Sequence, residues 1–137
     1  ISPDQVAWIK SELASAQVPV IVLMHHHLTP CSFDGMDAIM LRNADDIATL
    51  LAQSGKVRHI INGQIHRTIF TSIHGMPVSM IKSTCDQMPL VIGPGSSGLS
   101  VDEPAAFGVL LLSHTGAILH SEDVGLPNRT TATERDT

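Results

Sequence analysis

Apolar positions along the chain fall into two kinds of run, helix-length stripes and short unbroken blocks. Ser2-Pro3-Asp4-Gln5 reads as a helix start, with Ser2 as N-cap, Pro3 at the first helical position and Asp4 in the first turn. Val6, Ile9, Leu13 and Ala14 then share one stripe with Trp8 at its flank, so residues 3–16 are expected to form an amphipathic helix over a sheet. Residues 18–24 are a continuous apolar, β-rich block, the pattern of a strand buried on both faces, and the block stops at His25-His26-His27. Residues 28–42 contain Pro30, Gly35 and several polar side chains, which predicts a long loop with a helical turn around Asp37–Arg42. Asn43 is placed to cap a helix that carries Ile47, Leu50 and Leu51 on one side and closes at Gln53-Ser54-Gly55. Residues 57–62 form the next strand, which runs into Gly63-Gln64-Ile65-His66. With a helix between them, the two strands are expected to run parallel through a right-handed crossover. His25 and His66 then lie just past the carboxyl ends of parallel strands, the edge at which open α/β sheets build their sites.

Beyond His66 the pattern changes to hairpins. Residues 67–73 and 76–82 flank a turn at His74-Gly75, and residues 107–113 and 117–123 flank Thr115-Gly116. Between the pairs, residues 88–106 carry Pro89, Pro94 and Pro104 among glycines and read as an irregular connection. Residues 127–137 are polar and without apolar period, so a disordered tail is expected after a single partial domain at 1–126.

Composition narrows the function classes. A chain of 137 residues that is 43% hydrophobic and 15% charged can bury a core. Its net charge of −5 and scattered Lys and Arg residues argue against a nucleic acid polymer as partner. Cys31 and Cys85 lie far apart without metal or redox spacing, which predicts free thiols in a reducing, cytoplasmic compartment. No apolar run has the length of a bilayer span, so a soluble protein without a membrane partner is expected. The chain opens on Ile1 and enters a helix at once, which leads us to expect further sequence upstream.

The candidate chemistry centres on histidine. Three in a row, inside the chain and directly after a strand, are no expression tag, and strand alternation lets at most two of them face one site. Solvated or hydrogen-bonded loop histidines are the alternative for any one of them. Gly63-Gln64-Ile65-His66 is the second group, where glycine permits a sharp turn or close approach at a strand end. Gly93-Pro94-Gly95-Ser96-Ser97-Gly98 satisfies a dinucleotide fingerprint formally, but no helix follows it and Pro104 interrupts the segment. Neither cysteine begins a phosphate-binding Cys-x5-Arg loop.

Taken together, Leu23-Met24-His25-His26, then Asp37 and Asn43, then Gly63-Gln64-Ile65-His66-Arg67 and Ser83-Thr84-Cys85-Asp86-Gln87 resemble the second half of the calcineurin-like metallophosphoesterases. The likeness is nearest to their bacterial class III cyclic-nucleotide and glycerophosphodiester phosphodiesterase branch, and it covers about residues 3–123. It implies an α/β fold, the carboxyl-terminal half of a four-layer αββα sandwich, with parallel strands followed by antiparallel hairpins. It implies hydrolysis of a small phosphodiester at two divalent metal ions (Fe, Mn, Zn or Co). His25 and His66 match metal ligands and His26 a residue near substrate. Gln64 stands where the family carries a further ligating histidine, and a neutral amide oxygen is a weaker donor. His27 and Leu28 replace two prolines, and His27 offers a substitute ligand. The family's upstream Asp-x-His, Gly-Asp and Gly-Asn-His-Asp/Glu motifs are absent from these 137 residues. Two expectations follow: the chain contributes part of a metal site in a longer enzyme, or it is an inactive fragment or degenerate relative. In either case it is expected to self-associate or to pair with a missing amino-terminal half.

Overall fold

In the computed structural model, which describes residues 1–95 and 98–126, the first helix forms where its caps direct it. This helix, α1, spans Pro3–Ser15 and opens with a full capping box. Ser2 Oγ accepts from Gln5 N at 3.3 Å, and Gln5 Oε1 accepts from Ser2 N at 2.9 Å. Lys56 closes the other end, its Nζ donating to the carbonyls of Ala14 (3.0 Å) and Ala16 (2.8 Å), where a cation suits the helix dipole. Only Leu13 is buried, while Val6 and Ile9 pack partly on the core and Trp8 is exposed.

After the strand β1 (Val20–Met24), a single turn, α2, covers Asp34–Asp37. It lies three residues earlier than the expected turn at 37–42 because Asp37 folds back to accept from Cys31 N (2.8 Å) and Ser32 N (3.0 Å). The next helix, α3, spans Ala44–Gln53 and buries Ile47, Ala48 and Leu51, with Gly55 beyond it at φ 65°. Asn43 occupies its N-cap position without making a side-chain cap bond. Its amide instead donates to the Ile1 carbonyl at 3.1 Å, so the capping expected of Asn43 is replaced by a tie to the amino end of α1.

The strands β2 (Val57–Asn62), β3 (Ile69–Ile73) and β4 (Met76–Met80) join β1 in one sheet of order β1-β2-β4-β3. β1 and β2 run parallel, β2 and β4 run parallel, and β3 pairs antiparallel with β4. The fold is thus α/β with a mostly parallel mixed sheet, and β4 returns to the inside of the sheet beside β2, a pairing that hairpin spacing alone does not specify. Its core lies between α3 and the middle strands, where Ile47, Leu51, Ile60, Val78 and Met80 are all but inaccessible. β1 is an edge strand. None of its residues is buried and Leu23 is 73% exposed, so the expected burial on both faces is not met. A groove of about 390 Å³ runs between α1 and β1 and ends at His25 and His26.

A second, two-stranded sheet is formed by β5 (Ala106–Leu112) and β6 (Ala117–Asp123). Ala106 N donates to Ser83 O at 3.0 Å, and Lys82 Nζ meets Asp123 at 3.2 Å and Glu103 at 3.5 Å. Gly108 passes so close to Ile81 that a Cβ there would collide with the isoleucine side chain. The connection before β5 is irregular, as expected, with isolated bridges between Gln87 and Val101 and between Gly93 and Phe33. The tail expected at 127–137 lies outside the described residues, as do Ser96 and Ser97 of the glycine-rich stretch. Both cysteines are free, and among the described residues no helix is long and apolar enough to cross a membrane.

Candidate functional site

The parallel register sets Met24 opposite Asn62, so the two histidine-bearing segments leave the sheet side by side. Gly63 N is shared between the carbonyls of Met24 and His25, both at 3.1 Å, and Asn62 Nδ2 donates to His26 O at 3.2 Å. These bonds pin the histidine triplet against the end of β2. The close approach that glycine offers at position 63 is used here: a Cβ on Gly63 would stand 3.4 Å from His25 Nδ1.

Burial then divides the triplet. His25 and His26 are exposed, their rings edge to face with centroids 5.2 Å apart, whereas His27 is completely buried. Two of the three therefore remain open to a ligand at the sheet edge.

The turn after β2 is strained. Gln64 (φ 72°) and His66 (φ 55°) both lie in the left-handed region, which costs an L-residue roughly 1–2 kcal/mol each. Between them Ile65 is fully buried and anchors the turn in the core. Backbone strain held by a buried anchor is a recurrent feature of functional turns. His66 Nδ1 donates to the Asp86 carbonyl at 3.0 Å, with Asp86 Oδ2 3.6 Å away. That bond assigns the proton to Nδ1 and leaves the Nε2 lone pair free, the arrangement by which a carbonyl or carboxylate prepares an imidazole to ligate a metal. The 83–87 segment that supplies Asp86 is closed by the buried Gln87, whose side chain bonds Ser83 N (2.9 Å), Ser83 O (2.8 Å) and Cys85 O (3.2 Å). Asp86 is the member of this edge that sequence reasoning passes over. Its one signal is its place in the Ser-Thr-x-x-Gln run. Its carboxyl is held below the usual range, first by the Cys85 thiol that donates to it at 3.1 Å.

Gln64 is tied less firmly. Its Nε2 reaches the Ile39 carbonyl at 3.4 Å, while its Oε1 is buried without a hydrogen-bond partner. An orphaned buried acceptor costs about 1–3 kcal/mol. Two imidazole donors suited to a divalent metal lie at this edge, the His66 Nε2 and the exposed His25 ring, while the buried Gln64 Oε1 is turned toward the His27 imidazole. Two imidazoles fit part of a metal's ligand shell and stop short of the larger set that a two-metal site needs.

No family model matches the chain. Sequence comparison does find relatives. The 3',5'-cyclic adenosine monophosphate phosphodiesterase CpdA of Escherichia coli is 29% identical over 123 residues, 89% of this chain and 43% of the relative. A probable cyclic nucleotide phosphodiesterase of Psychrobacter arcticus is 30% identical over 87 residues, 64% of this chain and 31% of the relative. The cAMP/cGMP dual specificity phosphodiesterase of Mycobacterium tuberculosis is 29% identical over 98 residues, 71% of this chain and 30% of the relative. The chain is a homologue of the bacterial class III cyclic nucleotide phosphodiesterases. It spans about a third to two-fifths of the length of these curated relatives. These relatives are named as phosphodiesterases, and among the described residues of this chain the grouped His, Cys and Asp donors are His66 with Cys85 and Asp86, and His27 with Cys31 and Asp37.

Proposed function

We propose that this chain supplies the histidine-bearing part of a phosphodiesterase site, with His25 and His66 as metal ligands, Gln64 as a weaker third donor and His26 beside the substrate. The substrate class is a small phosphodiester: a cyclic nucleotide, in line with what the relatives' names state of them, or a glycerophosphodiester, which only the resemblance of the sequence motifs implies. The observation that carries this reading is the His66–Asp86 bond, which frees Nε2 of an imidazole held in a strained turn. Bound divalent metals would contribute Lewis acidity toward a phosphoryl oxygen and polarise a water. The chain's own side chains have simpler tasks. His25 and His66 hold position at the strand ends, and His26, edge-on to His25, offers an N–H to the charge that develops on phosphoryl oxygen. The incomplete donor set favours a second reading for the chain by itself, which is then inactive.

Joining residues 1–126 to the amino-terminal portion of the Escherichia coli relative tests this. The chimera is expected to hydrolyse cyclic AMP, with His25→Ala and His66→Ala each lowering turnover roughly a hundredfold, since losing a charge-stabilising metal is worth several kcal/mol. Undiminished turnover in both variants would remove the proposed ligand roles.

A further inference from the structure

The buried member of the triplet belongs to a different cluster. His27 has no accessible surface, and its ring nitrogens make no hydrogen bond of good geometry, although the Asp37 and Gln64 side chains stand beside the imidazole. Its Nε2 lies 3.4 Å from Asp37 Oδ1. Cys31 completes the group, and one donor atom from each of His27, Cys31 and Asp37 lies within 4.8 Å of the other two. A second orphan faces the same imidazole, the buried Oε1 of Gln64.

We infer that His27, Cys31 and Asp37 form a binding site for one borderline-soft divalent cation such as Zn2+, separate from the His25–His66 edge and independent of the phosphodiesterase reading. Imidazole, thiolate and carboxylate are the donor types such an ion accepts, and a tetrahedral ion draws its donors to about 3.5 Å apart, so the group needs to close by roughly 1 Å. The loop is built to allow that. Asp37 is already fixed by the Cys31 and Ser32 amides, one to each oxygen, and keeps a lone pair on each. Cys31 Sγ, now bonded only to the Thr29 carbonyl at 3.3 Å and in contact with Met80 Sδ at 3.7 Å, swings in by rotation about one bond. Cys31 and Asp37 are both partly exposed, which gives the ion an entry path, and a water from that side completes four-coordination. Burial and the nearby Asp37 push the Cys31 thiol up to about 11, so it stays a thiol until a cation displaces its proton. The ion's work is structural: it fastens the 27–37 loop over the core and gives a buried imidazole the well-aligned partner it lacks.

Two cysteines in the chain make the test simple, because the second His/Cys/Asp group, His66 with Cys85 and Asp86, holds the other one. Cobalt(II) is titrated into the metal-stripped, reduced 137-residue chain while the thiolate-to-metal charge-transfer band and the visible d–d bands are recorded. The expected result is saturation near one equivalent with tetrahedral intensity. The band is retained in Cys85→Ser and in His66→Ala, is lost in Cys31→Ser, and forms at least tenfold more weakly in His27→Gln and Asp37→Asn. Should Cys31→Ser fail to fold, Cys85→Ser decides alone, since only Cys31 then remains to give a thiolate band. Absence of the band in the parent chain, or its loss in Cys85→Ser, would overturn the site.

Discussion

The middle of the larger sheet and its flanks are equally apolar in sequence, yet they differ completely in environment. Ile60, Val78 and Met80 on β2 and β4 are sealed in one core with Ile47 and Leu51 of α3, whereas Leu23 on β1 and Phe107, Leu111, Leu112 and Ile118 on the second sheet are exposed. Apolar side chains left in water forgo about 1.5–3 kcal/mol each of burial free energy, and a contiguous set of them marks a surface made for contact. This chain is therefore a packed core with unfinished sides. That agrees with its covering less than half of its relatives' length.

Substitution tests the contrast most severely. Ile60→Ala and Met80→Ala are expected to cost about 2–5 kcal/mol in urea unfolding, because each opens a cavity in a sealed core. Leu23→Ala should cost under about 0.5 kcal/mol, as an exposed position away from caps or polar networks does. Leu23→Asp should instead alter association: the parent chain is expected to self-associate in sedimentation, and the variant to shift toward monomer. Equal destabilisation at positions 23 and 60, with a stable monomeric parent, would erase the distinction between core and flank.

A smaller effect is expected with pH. His59 on β2 is buried and its Nε2 lies 2.8 Å from Ser79 Oγ, and burial lowers its affinity for a proton below the ordinary 6.5. The unfolded chain therefore binds more protons than the folded one below that pH. The stability that neutral His59 contributes is fully present above pH 6.5 and drains away as pH falls through 6.5 toward the folded value. His59→Gln, which can still bond Ser79, should lose less stability between pH 7.5 and 5.5 than the parent, so the gap between them narrows on acidification. A gap constant across that range would mean that His59 does not report burial at the sheet centre.

Much of this architecture is legible in the order of residues alone. The capped start of α1, the parallel pair β1 and β2 and the placement of His25 and His66 follow from apolar period, strand-helix-strand spacing and the rule that parallel strands share an edge. The features that are not legible have a common cause. Whether β1 is central or peripheral depends on neighbours distant in sequence, and an unbroken apolar run looks the same in both cases. Asn43 has cap chemistry, but Ile1 competes for its side chain across 42 residues. Position within the triplet likewise does not tell which histidine turns inward: His27 is buried because Asp37 folds the following loop back over it.

The ligand roles at the sheet edge are most directly tested by manganese binding to the chimera, since a hard ion discriminates against the Cys31 thiol. Gln64→His should raise affinity at least tenfold, imidazole being a better donor than an amide oxygen, and His66→Ala should lower metal content even in the Gln64→His background. Equal manganese affinity in the parent, Gln64→His and His66→Ala proteins would contradict the account, leaving Gln64 as a loop hydrogen-bonder and His66 as a solvated histidine at a strand end.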